Sequence, residues 1–316
     1  MVDLILGAAG FVGGYAVRQL AADGAEVHAA MRPTEQLAPD LAALCTVHTL
    51  DLLDADAVSA LLHELRPDRI MHLAAQSSVA LSWKQPQQTA EVNIIGTLNL
   101  LEAARTMSPM PRILLVGSGE EYGAPAQNPV CEEMPLRPAN IYAATKAAAE
   151  QFAAVYHKAY HLPVICVRAF NHIGPMQREI FVAADFCKQA AEIEAGLHEP
   201  VIRTGNLSAM RDFTDVRDIV RAYALLLESG RAGECYNVGS GKAVAIADIL
   251  TQIQQLCRVP FRIETAPEKL RPVDVPVIAA DIAKLQADTG WSPEIPLAQT
   301  LADTLEYWRS VVKEQA

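Results

Sequence analysis

The stretch that decides the fold is Gly7-Ala8-Ala9-Gly10-Phe11-Val12-Gly13, which directly follows the apolar run Leu4-Ile5-Leu6. Three glycines at this spacing permit a tight turn from a strand into a helix and leave room for a ligand close to the backbone. The free N–H groups of such a first helical turn suit the pyrophosphate of a dinucleotide. The stretch therefore predicts a dinucleotide-binding turn; a plain strand-to-helix turn is the alternative.

Beyond this turn, the first half of the chain alternates short apolar runs with segments of helical periodicity. The runs have the length and composition of buried strands, and the segments between them are amphipathic. This alternation predicts an α/β fold with a doubly wound, parallel Rossmann sheet. The predicted strands are 4–6, 26–30, 46–50, 69–73, 113–116, 164–167 and 234–238, and the predicted helices are 13–23, 55–65, 88–105 and 141–160.

The alternation becomes irregular after Asn171, and Pro-rich stretches follow later in the chain. A length of 316 residues is enough for one large domain and a smaller one. We expect the Rossmann domain to take residues 1–170, with about 215–240 added to it. A smaller, substrate-facing C-terminal domain is expected over about 171–214 and 241–316.

Composition argues against several classes of partner. The net charge is −11 and no basic cluster is visible, which excludes a nucleic-acid partner. The sequence has no run of about 18 apolar residues, so we expect no membrane partner. Asp3 stands where a secretory signal would carry positive charge, so a cytoplasmic location is expected. The six cysteines form no C-x-x-C pair, and we expect reduced thiols and no metal site.

Two residues at strand ends bear on the choice of dinucleotide. Arg32 ends the second predicted strand, where an acidic residue usually binds the 2′-hydroxyl of the adenosine ribose. An arginine there can bind a 2′-phosphate, so NADP(H) is favoured and NAD(H) stays possible; the alternative is a solvated arginine. Asp51 follows the third predicted strand and can bind the adenine amino group or cap the next helix.

A proton-transfer set is predicted from three residues. Tyr142 and Lys146 lie four residues apart in the helix predicted over 141–160, so they share one face. A lysine ammonium beside the phenol is expected to lower the tyrosine pKa, which allows proton exchange near neutral pH. Ser118 follows a predicted strand and is expected to complete the set.

These features together resemble the extended short-chain dehydrogenase/reductase family, over essentially the whole chain. The resemblance is carried by the glycine turn, Leu73-Ala74-Ala75-Gln76-Ser77, Ser118 and the Tyr142/Lys146 pair. Segments 117–123, 170–175, 205–207, 211–213 and 271–276 resemble its GDP-mannose branch, which includes GDP-mannose 4,6-dehydratase and GDP-4-keto-6-deoxy-D-mannose reductase.

The resemblance implies an NADP-binding Rossmann domain, a sugar-nucleotide-binding domain and a set of site residues. Arginines would bind the diphosphate and Asp274 the ribose hydroxyls; interdomain ion pairs and loop capping by the asparagines are the alternatives. The implied cofactor-binding residues are Gly7, Gly10, Phe11, Val12, Gly13, Arg32, Asp51, Leu52, Leu73, Ala74, Ala75, Tyr142 and Lys146. The implied GDP-sugar residues are Ser77, Glu120, Asn171, Lys188, Asn206, Arg211, Arg271 and Asp274.

Two reactions of this branch are compatible with the catalytic set. A 4,6-dehydratase needs a carboxylate base, and Glu120 occupies that position. However, the dehydratase threonine is Ser118 here, Gly119 has no side chain to protonate a leaving group, and Met176-Gln177 replaces an arginine pair. We therefore expect reduction of GDP-4-keto-6-deoxy-D-mannose to GDP-D-rhamnose, with GDP-mannose dehydration as the alternative, in which Glu120 is the base.

Further alternatives and the assembly complete the expectations. A sugar-nucleotide 4-epimerase uses the same set, but it has no carboxylate after the serine, so Glu120 argues against it. A non-enzymatic, NADP-sensing role would predict a damaged set, whereas Tyr142 and Lys146 are intact. Alanine-rich faces on the helices predicted over 88–105 and 141–160 favour a homodimer through a four-helix interface.

Overall fold

The computed structural model describes residues 1–270 and 275–315. Thirteen strands are defined within those residues. They are β1 (Val2–Leu6), β2 (Glu26–Met31), β3 (Thr46–Thr49), β4 (Arg69–His72), β5 (Arg112–Val116), β6 (Val164–Ala169), β7 (Asn171–Ile173), β8 (Val201–Thr204), β9 (Met210–Asp215), β10 (Cys235–Val238), β11 (Ala243–Ala245), β12 (Arg262–Thr265) and β13 (Val277–Ile278).

Twelve α-helices are defined in the same ranges. They are α1 (Phe11–Ala22), α2 (Pro39–Ala42), α3 (Ala55–Leu65), α4 (Val79–Lys84), α5 (Pro86–Ala90), α6 (Gly96–Arg105), α7 (Ile141–Tyr160), α8 (Val182–Glu194), α9 (Val216–Ser229), α10 (Ile246–Leu256), α11 (Ala283–Thr289) and α12 (Leu297–Gln315). None of the described helices has both the length and the apolar character needed to cross a bilayer.

The main sheet has seven strands in the order β10-β6-β5-β4-β1-β2-β3, and every neighbouring pair is parallel. This arrangement confirms the predicted doubly wound Rossmann sheet. The chain moves from β1 toward β3 on one side and then from β4 toward β10 on the other. The loops after β1 and β4 therefore diverge at the carboxyl edge of the sheet, where ligands bind in such folds.

Alternating side chains of the strands fill two cores, one on each face of the sheet. Ile5 packs in the core under α1 and α9, whereas its neighbours Leu4 and Leu6 pack in the core under α3, α6 and α7. Leu285 of α11 and Trp291, which follows it, pack in the α1/α9 core. The period of two in β1 thus explains how one short apolar run serves both layers.

The later half of the chain adds a third core and small sheets. Helices α8, α10 and α12 pack around apolar side chains such as Phe186, Ile253 and Leu305. Strands β7, β11 and β13 each pair with β9, and β12 pairs with β8. The predicted domain boundaries stay a prediction. Helix α11 lies in the range expected for the smaller domain, but its Leu285 packs in the core of the main sheet.

The helix predicted over 88–105 is interrupted in the structure. Helix α5 leads into a π-helical turn over Glu91–Ile95, and α6 follows it. The turn buries Asn93, whose Nδ2 donates to the Gln76 carbonyl at 3.1 Å and to Thr145 Oγ1 at 2.9 Å. A single amide thus connects the segment after β4 to α7. Periodicity could not reveal this break, because a π turn changes the helix by one residue only.

Candidate active site

The glycine turn forms a close-packed cradle at the amino end of α1. Gly7 has a φ of +88°, and a Cβ there would lie 2.7 Å from the Ala74 nitrogen. A Cβ on Gly13 would overlap the carbonyl oxygens of Gly7 and Ala8. Gly10 caps the helix, and no acidic residue lies in its first turn. The turn and the predicted Leu73–Ala75 segment are therefore neighbours, and the exposed donors face no carboxylate within that turn.

Arg32, at the end of β2, forms a local ion pair with Glu35. One carboxylate accepts from the Arg32 backbone nitrogen at 3.1 Å, from Nε at 3.2 Å and from Nη2 at 2.7 Å. Burial alone would raise the pKa of Glu35, but the hydrogen bonds from Arg32 lower it below its usual range. The Arg32 side chain is 63% exposed, so it can be reached by a ligand, although it must exchange its carboxylate partner.

Asp51 lies exposed after β3, and its carboxylate accepts from the Leu53 nitrogen at 3.0 Å. Of the two roles open to it, capping of α3 belongs instead to Asp54, which accepts from the Ala57 nitrogen. Leu52 is buried beside Asp51, and its carbonyl accepts from Asn99 Nδ2 at 2.8 Å.

Ser118 begins a short 3₁₀ turn over Gly119–Tyr122, immediately after β5. Its hydroxyl oxygen accepts from the Glu120 nitrogen at 3.2 Å, and its own nitrogen donates to Glu121 Oε1 at 2.7 Å. This reciprocal capping fixes both the backbone and the side chain of Ser118. The serine is buried at the carboxyl end of the sheet.

Tyr142 and Lys146 lie buried on α7, with 9% and 8% of their surfaces exposed. Asn140 caps this helix by accepting from the Ala143 nitrogen at 2.9 Å. Lys146 Nζ donates to the Val116 carbonyl at 2.8 Å, at the end of β5. The helix therefore brings its tyrosine and lysine against the same strand end as Ser118.

The expected lowering of the Tyr142 pKa is not what the structure gives. Burial raises the pKa of the phenol well above its usual range, and hydrogen bonding with Ser118 only partly opposes this. The desolvation of Lys146 lowers the pKa of its ammonium to about 8. The spacing of the two residues reveals the charge of the neighbouring lysine but not the cost of burying both groups. A buried, protonated tyrosine is nevertheless suited to donate a proton.

Glu120 lies beside this set, partly buried. Its Oε2 accepts from Asn140 Nδ2 at 3.0 Å, so the residue that caps α7 also holds this carboxylate. Asn140 and Asn93 are two polar positions that the sequence reasoning missed. Their signal is weak, because an isolated asparagine in a sequence is as typical of a turn as of a site.

The segment after β6 packs on the amino end of α1. His172 stacks on Phe11 with ring centroids 6.1 Å apart, and Tyr15 donates its hydroxyl to the Pro175 carbonyl at 3.1 Å. Gln177 is buried, and its Nε2 donates to the His172 carbonyl at 2.9 Å. A neutral amide therefore occupies the place where the resemblance would have an arginine in a dehydratase.

The predicted sugar-nucleotide residues occupy several elements. Ser77 and Asn171 are exposed, the latter on β7. Lys188 of α8 forms an ion pair with Glu179 at 3.3 Å. Arg211 is buried on β9, and its Nη1 donates to the Val275 carbonyl at 2.6 Å.

Asn206 accepts from the Ser208 nitrogen at 3.0 Å, which is the loop-capping role left open for it. Arg271 and Asp274 lie outside the described residues. The GDP-sugar set therefore stays a prediction.

Comparison with known proteins identifies the family. The sequence model of the family described as GDP-mannose 4,6 dehydratase matches residues 4–304. The chain belongs to this family. It is 36% identical to the GDP-6-deoxy-D-mannose reductase of Pseudomonas aeruginosa, over 85% of this chain and 88% of that protein. It is 32% identical to a UDP-glucose 4-epimerase of Mycolicibacterium smegmatis, over 98% and 99% of the two chains.

Solved structures show the same fold. A structure described as RMD from Pseudomonas aeruginosa complexed with NADPH has a TM-score of 0.85 and 33% identity, over 98% of this chain and 99% of that chain. A UDP-glucose 4-epimerase of Thermus thermophilus in complex with NAD has a TM-score of 0.86 and 31% identity, over 98% and 99%. The predicted membership of the extended short-chain dehydrogenase/reductases is confirmed. These relatives are named for different reactions, so membership of the family does not by itself determine the reaction.

Proposed function

We propose that this protein reduces the C4 keto group of GDP-4-keto-6-deoxy-D-mannose to give GDP-D-rhamnose, with NADPH as the reductant. The observation that carries the proposal is the convergence of Ser118, Tyr142 and Lys146 at the end of β5, with the phenol buried and its pKa raised by that burial. The identity with the Pseudomonas aeruginosa reductase supports the same substrate class.

In this reaction the tyrosine acts as the general acid. Tyr142 donates its phenolic proton to the oxygen at C4 as negative charge develops there, and Ser118 donates a hydrogen bond to the same oxygen. Lys146 would hold the nicotinamide ribose, and its ammonium would stabilise the phenolate left on Tyr142. The hydrogen bonds that fix Ser118 place its hydroxyl before the substrate arrives, which reduces the cost of orientation.

The glycine cradle fits a dinucleotide. Side chains at Gly7 and Gly13 would overlap the backbone of Ala74, Gly7 and Ala8, so this tight turn requires glycine, and no carboxylate stands in the first turn of α1. NADPH bound there would supply the hydride. Arg32 would contact its 2′-phosphate, and the other residues predicted for the cofactor are Gly10, Phe11, Val12, Asp51, Leu52, Leu73, Ala74, Ala75, Tyr142 and Lys146.

Two local features favour reduction over dehydration. A Cβ at Gly119 would lie 3.1 Å from the Phe170 ring, so the position has little room for a side chain that could protonate a leaving hydroxyl. Gln177 is buried and neutral, so it offers no charge to a cofactor phosphate, whereas the resemblance would have an arginine there in a dehydratase. Glu120 keeps dehydration of GDP-mannose as the second candidate, because a carboxylate beside Ser118 is the base which that reaction requires.

The GDP moiety is proposed to lie mainly along the later half of the chain, with Ser77 after β4 as the one contribution from the first half. Asn171, Lys188, Asn206, Arg211 and Ser77 would contribute side chains, together with Arg271 and Asp274. Arg211 is the anchor of this set, since a guanidinium suits a diphosphate. Its position on β9, beside the strand that carries Asn171, supports the assignment.

The test is to incubate the purified protein with GDP-4-keto-6-deoxy-D-mannose and NADPH, and separately with GDP-mannose and NADP⁺. We expect NADPH absorbance to fall in proportion to the keto sugar consumed, with GDP-rhamnose appearing by nucleotide-sugar chromatography. GDP-mannose should remain unchanged. Formation of keto sugar from GDP-mannose would favour the dehydratase, and interconversion of UDP-galactose and UDP-glucose would favour a 4-epimerase.

We also propose that two copies associate through α6 and α7 to form a four-helix interface. One face of α7 is open to solvent and carries Ala144, Ala148, Gln151 and Val155 at helical spacing. Val155 is 58% exposed, which is unusual for a large apolar side chain. Sedimentation should give a dimer at micromolar concentration, and Val155→Asp should give monomers. A monomeric wild type would contradict the proposal.

A further inference from the structure

A carboxyl group lies beneath the catalytic set, and its charge has no part in the reaction described above. Glu121 is fully buried, and its Oε1 accepts from the Ser118 backbone nitrogen at 2.7 Å. Its Oε2 is also buried and has no hydrogen-bond partner among residues 1–270 and 275–315. Since an unpaired buried polar atom costs about 1–3 kcal/mol, this placement needs a reason.

The backbone is shaped to admit this carboxyl. A Cβ on Gly117 would overlap Glu121 Oε1 and would lie 2.9 Å from the Val167 carbonyl oxygen. The Gly117 nitrogen donates to that same carbonyl at 2.6 Å, so the strand end cannot move away. Gly117 is therefore required because Glu121 occupies the space that a side chain would take.

Charged groups from several elements surround Glu121. Burial and, to a smaller extent, the Glu150 carboxylate of α7 raise the pKa of Glu121 to about 8, although the Ser118 backbone nitrogen, Arg168 of β6 and Lys146 oppose the rise. Tyr142 of α7 and the thiols Cys166 of β6 and Cys235 of β10 also feel its charge. Ionised Glu121 raises the pKa of both Tyr142 and Lys146.

We propose that Glu121 is a positioning residue for the reduction: it fixes Ser118 through the backbone, and its negative charge retains the proton on Lys146 and on Tyr142. The proposal rests on the proposed function for its kinetic part, but its effect on Lys146 is independent of the sugar. As pH rises past the point where Glu121 ionises, the new charge opposes loss of the Lys146 proton. The active protonation state is thereby extended toward alkaline pH.

Glu121→Gln separates charge from position. The amide oxygen can still accept from the Ser118 nitrogen, but it never becomes negative. We expect kcat at pH 6.5 to stay within about threefold of wild type, because the hydrogen bond is kept. In the pH profile of kcat/KM, the fall in rate on the alkaline side (the alkaline limb) should move to lower pH by about one unit, since Lys146 loses a neighbouring carboxylate. An unchanged limb would overturn the role of the charge.

Glu121→Asp makes the complementary change. The shorter side chain keeps the acid but withdraws it from the Ser118 nitrogen, so kcat should fall about tenfold at every pH while the Kd of NADPH changes little. An unchanged kcat would overturn the positioning role. This variant decides the matter if Glu121→Gln does not fold. Glu228→Gln, an exposed carboxyl on α9, is the matched control and should leave both the rate and the limb unchanged.

A measurement without sugar distinguishes failure of this inference from failure of the proposed function. The Kd of NADPH is measured by fluorescence from pH 6 to 10. The pH above which binding weakens should be lower in Glu121→Gln than in wild type, because Lys146 loses its proton at a lower pH. If this shift occurs and no keto sugar is reduced, the proposed function is wrong and the charge role of Glu121 stands. If sugar is reduced and the shift is absent, the charge role is wrong.

Discussion

The catalytic floor and the adenosine corner lie at the same edge of one sheet, but they differ in solvation. The catalytic floor consists of Ser118, Tyr142 and Lys146, all of which are buried. The adenosine corner, named for the cofactor contact proposed for Arg32, consists of Arg32 and Glu35, and the Arg32 side chain is 63% exposed. In the floor, burial itself sets the protonation states. At the corner, a visible ion pair is screened by water, and such pairs contribute little.

This difference predicts a gradient of effects. A change of one atom in the floor alters a buried group that solvent cannot replace, so the rate should respond strongly. A change at the corner removes an interaction for which water and salt already compete. The variants below test the gradient from the largest expected effect to the smallest.

Tyr142→Phe should have the largest effect. It removes the only proton that the account assigns to the C4 oxygen, and it leaves the volume of the buried ring almost unchanged. We expect kcat to fall by about 10³-fold, within the range for loss of a general acid. The Kd of NADPH, measured by fluorescence, should stay within about threefold. Activity within a few-fold of wild type would remove Tyr142 from the mechanism.

Gly13→Ala should have an intermediate effect, on binding of the cofactor. The new methyl group would overlap the carbonyl oxygens of Gly7 and Ala8, and backbone atoms cannot move aside cheaply. Overpacking of this kind costs about 1–3 kcal/mol, and if NADPH binding requires the strained form of the turn, this cost weakens binding roughly fivefold to 150-fold.

The adjacent Gly14 provides the matched control for that variant. A Cβ on Gly14 would lie 3.1 Å from the end of the Leu41 side chain, which can adjust. Gly14→Ala should therefore bind NADPH nearly as the wild type does, with an unchanged or higher Tm. Equal losses in both variants would show that helix α1, and not the cradle, determines the result.

The smallest effects are expected at the adenosine corner. Arg32→Ala should weaken the binding of NADPH about tenfold and the binding of NADH much less, because only NADPH carries the 2′-phosphate. Glu35→Gln should strengthen the binding of NADPH about twofold to threefold, since it releases Arg32 from a competing ion pair at the surface. Isothermal titration with both cofactors measures the two ratios. If Arg32→Ala weakens both cofactors equally, Arg32 does not contact that phosphate.

The same contrast explains how much the sequence could predict. The seven strands of the main sheet and the glycine turn were predictable because local periodicity and steric demand determine them, as in the run that supplies Leu4 to one core and Ile5 to the other. Tyr142 and Lys146 were predictable because a separation of four residues in one helix places both side chains on the same face. Helices α8, α10 and α12 were not delimited, since their strongest constraints are packing contacts with each other. Helices α9 and α11 were not delimited either, and they pack in the core on one face of the main sheet.

The electrostatics of the site could not be predicted from spacing. The expected lowering of the Tyr142 pKa was wrong because desolvation depends on all surrounding elements, and a helical pair shows only one neighbour. Glu121 was missed as a positioning residue for the same reason. In the sequence it is one of two adjacent glutamates, and only the fold shows that one faces Asn140 while the other lies buried beneath Ser118.

The central claim is that this site reduces a keto sugar and does not dehydrate GDP-mannose, and Glu120→Gln tests it most directly. Reduction breaks no C–H bond at C5, so the variant should keep NADPH-dependent reduction of GDP-4-keto-6-deoxy-D-mannose within about tenfold of wild type, and neither protein should consume GDP-mannose. A wild type that converts GDP-mannose to the keto sugar with NADP⁺, and a Glu120→Gln variant that has lost this conversion, would contradict the account.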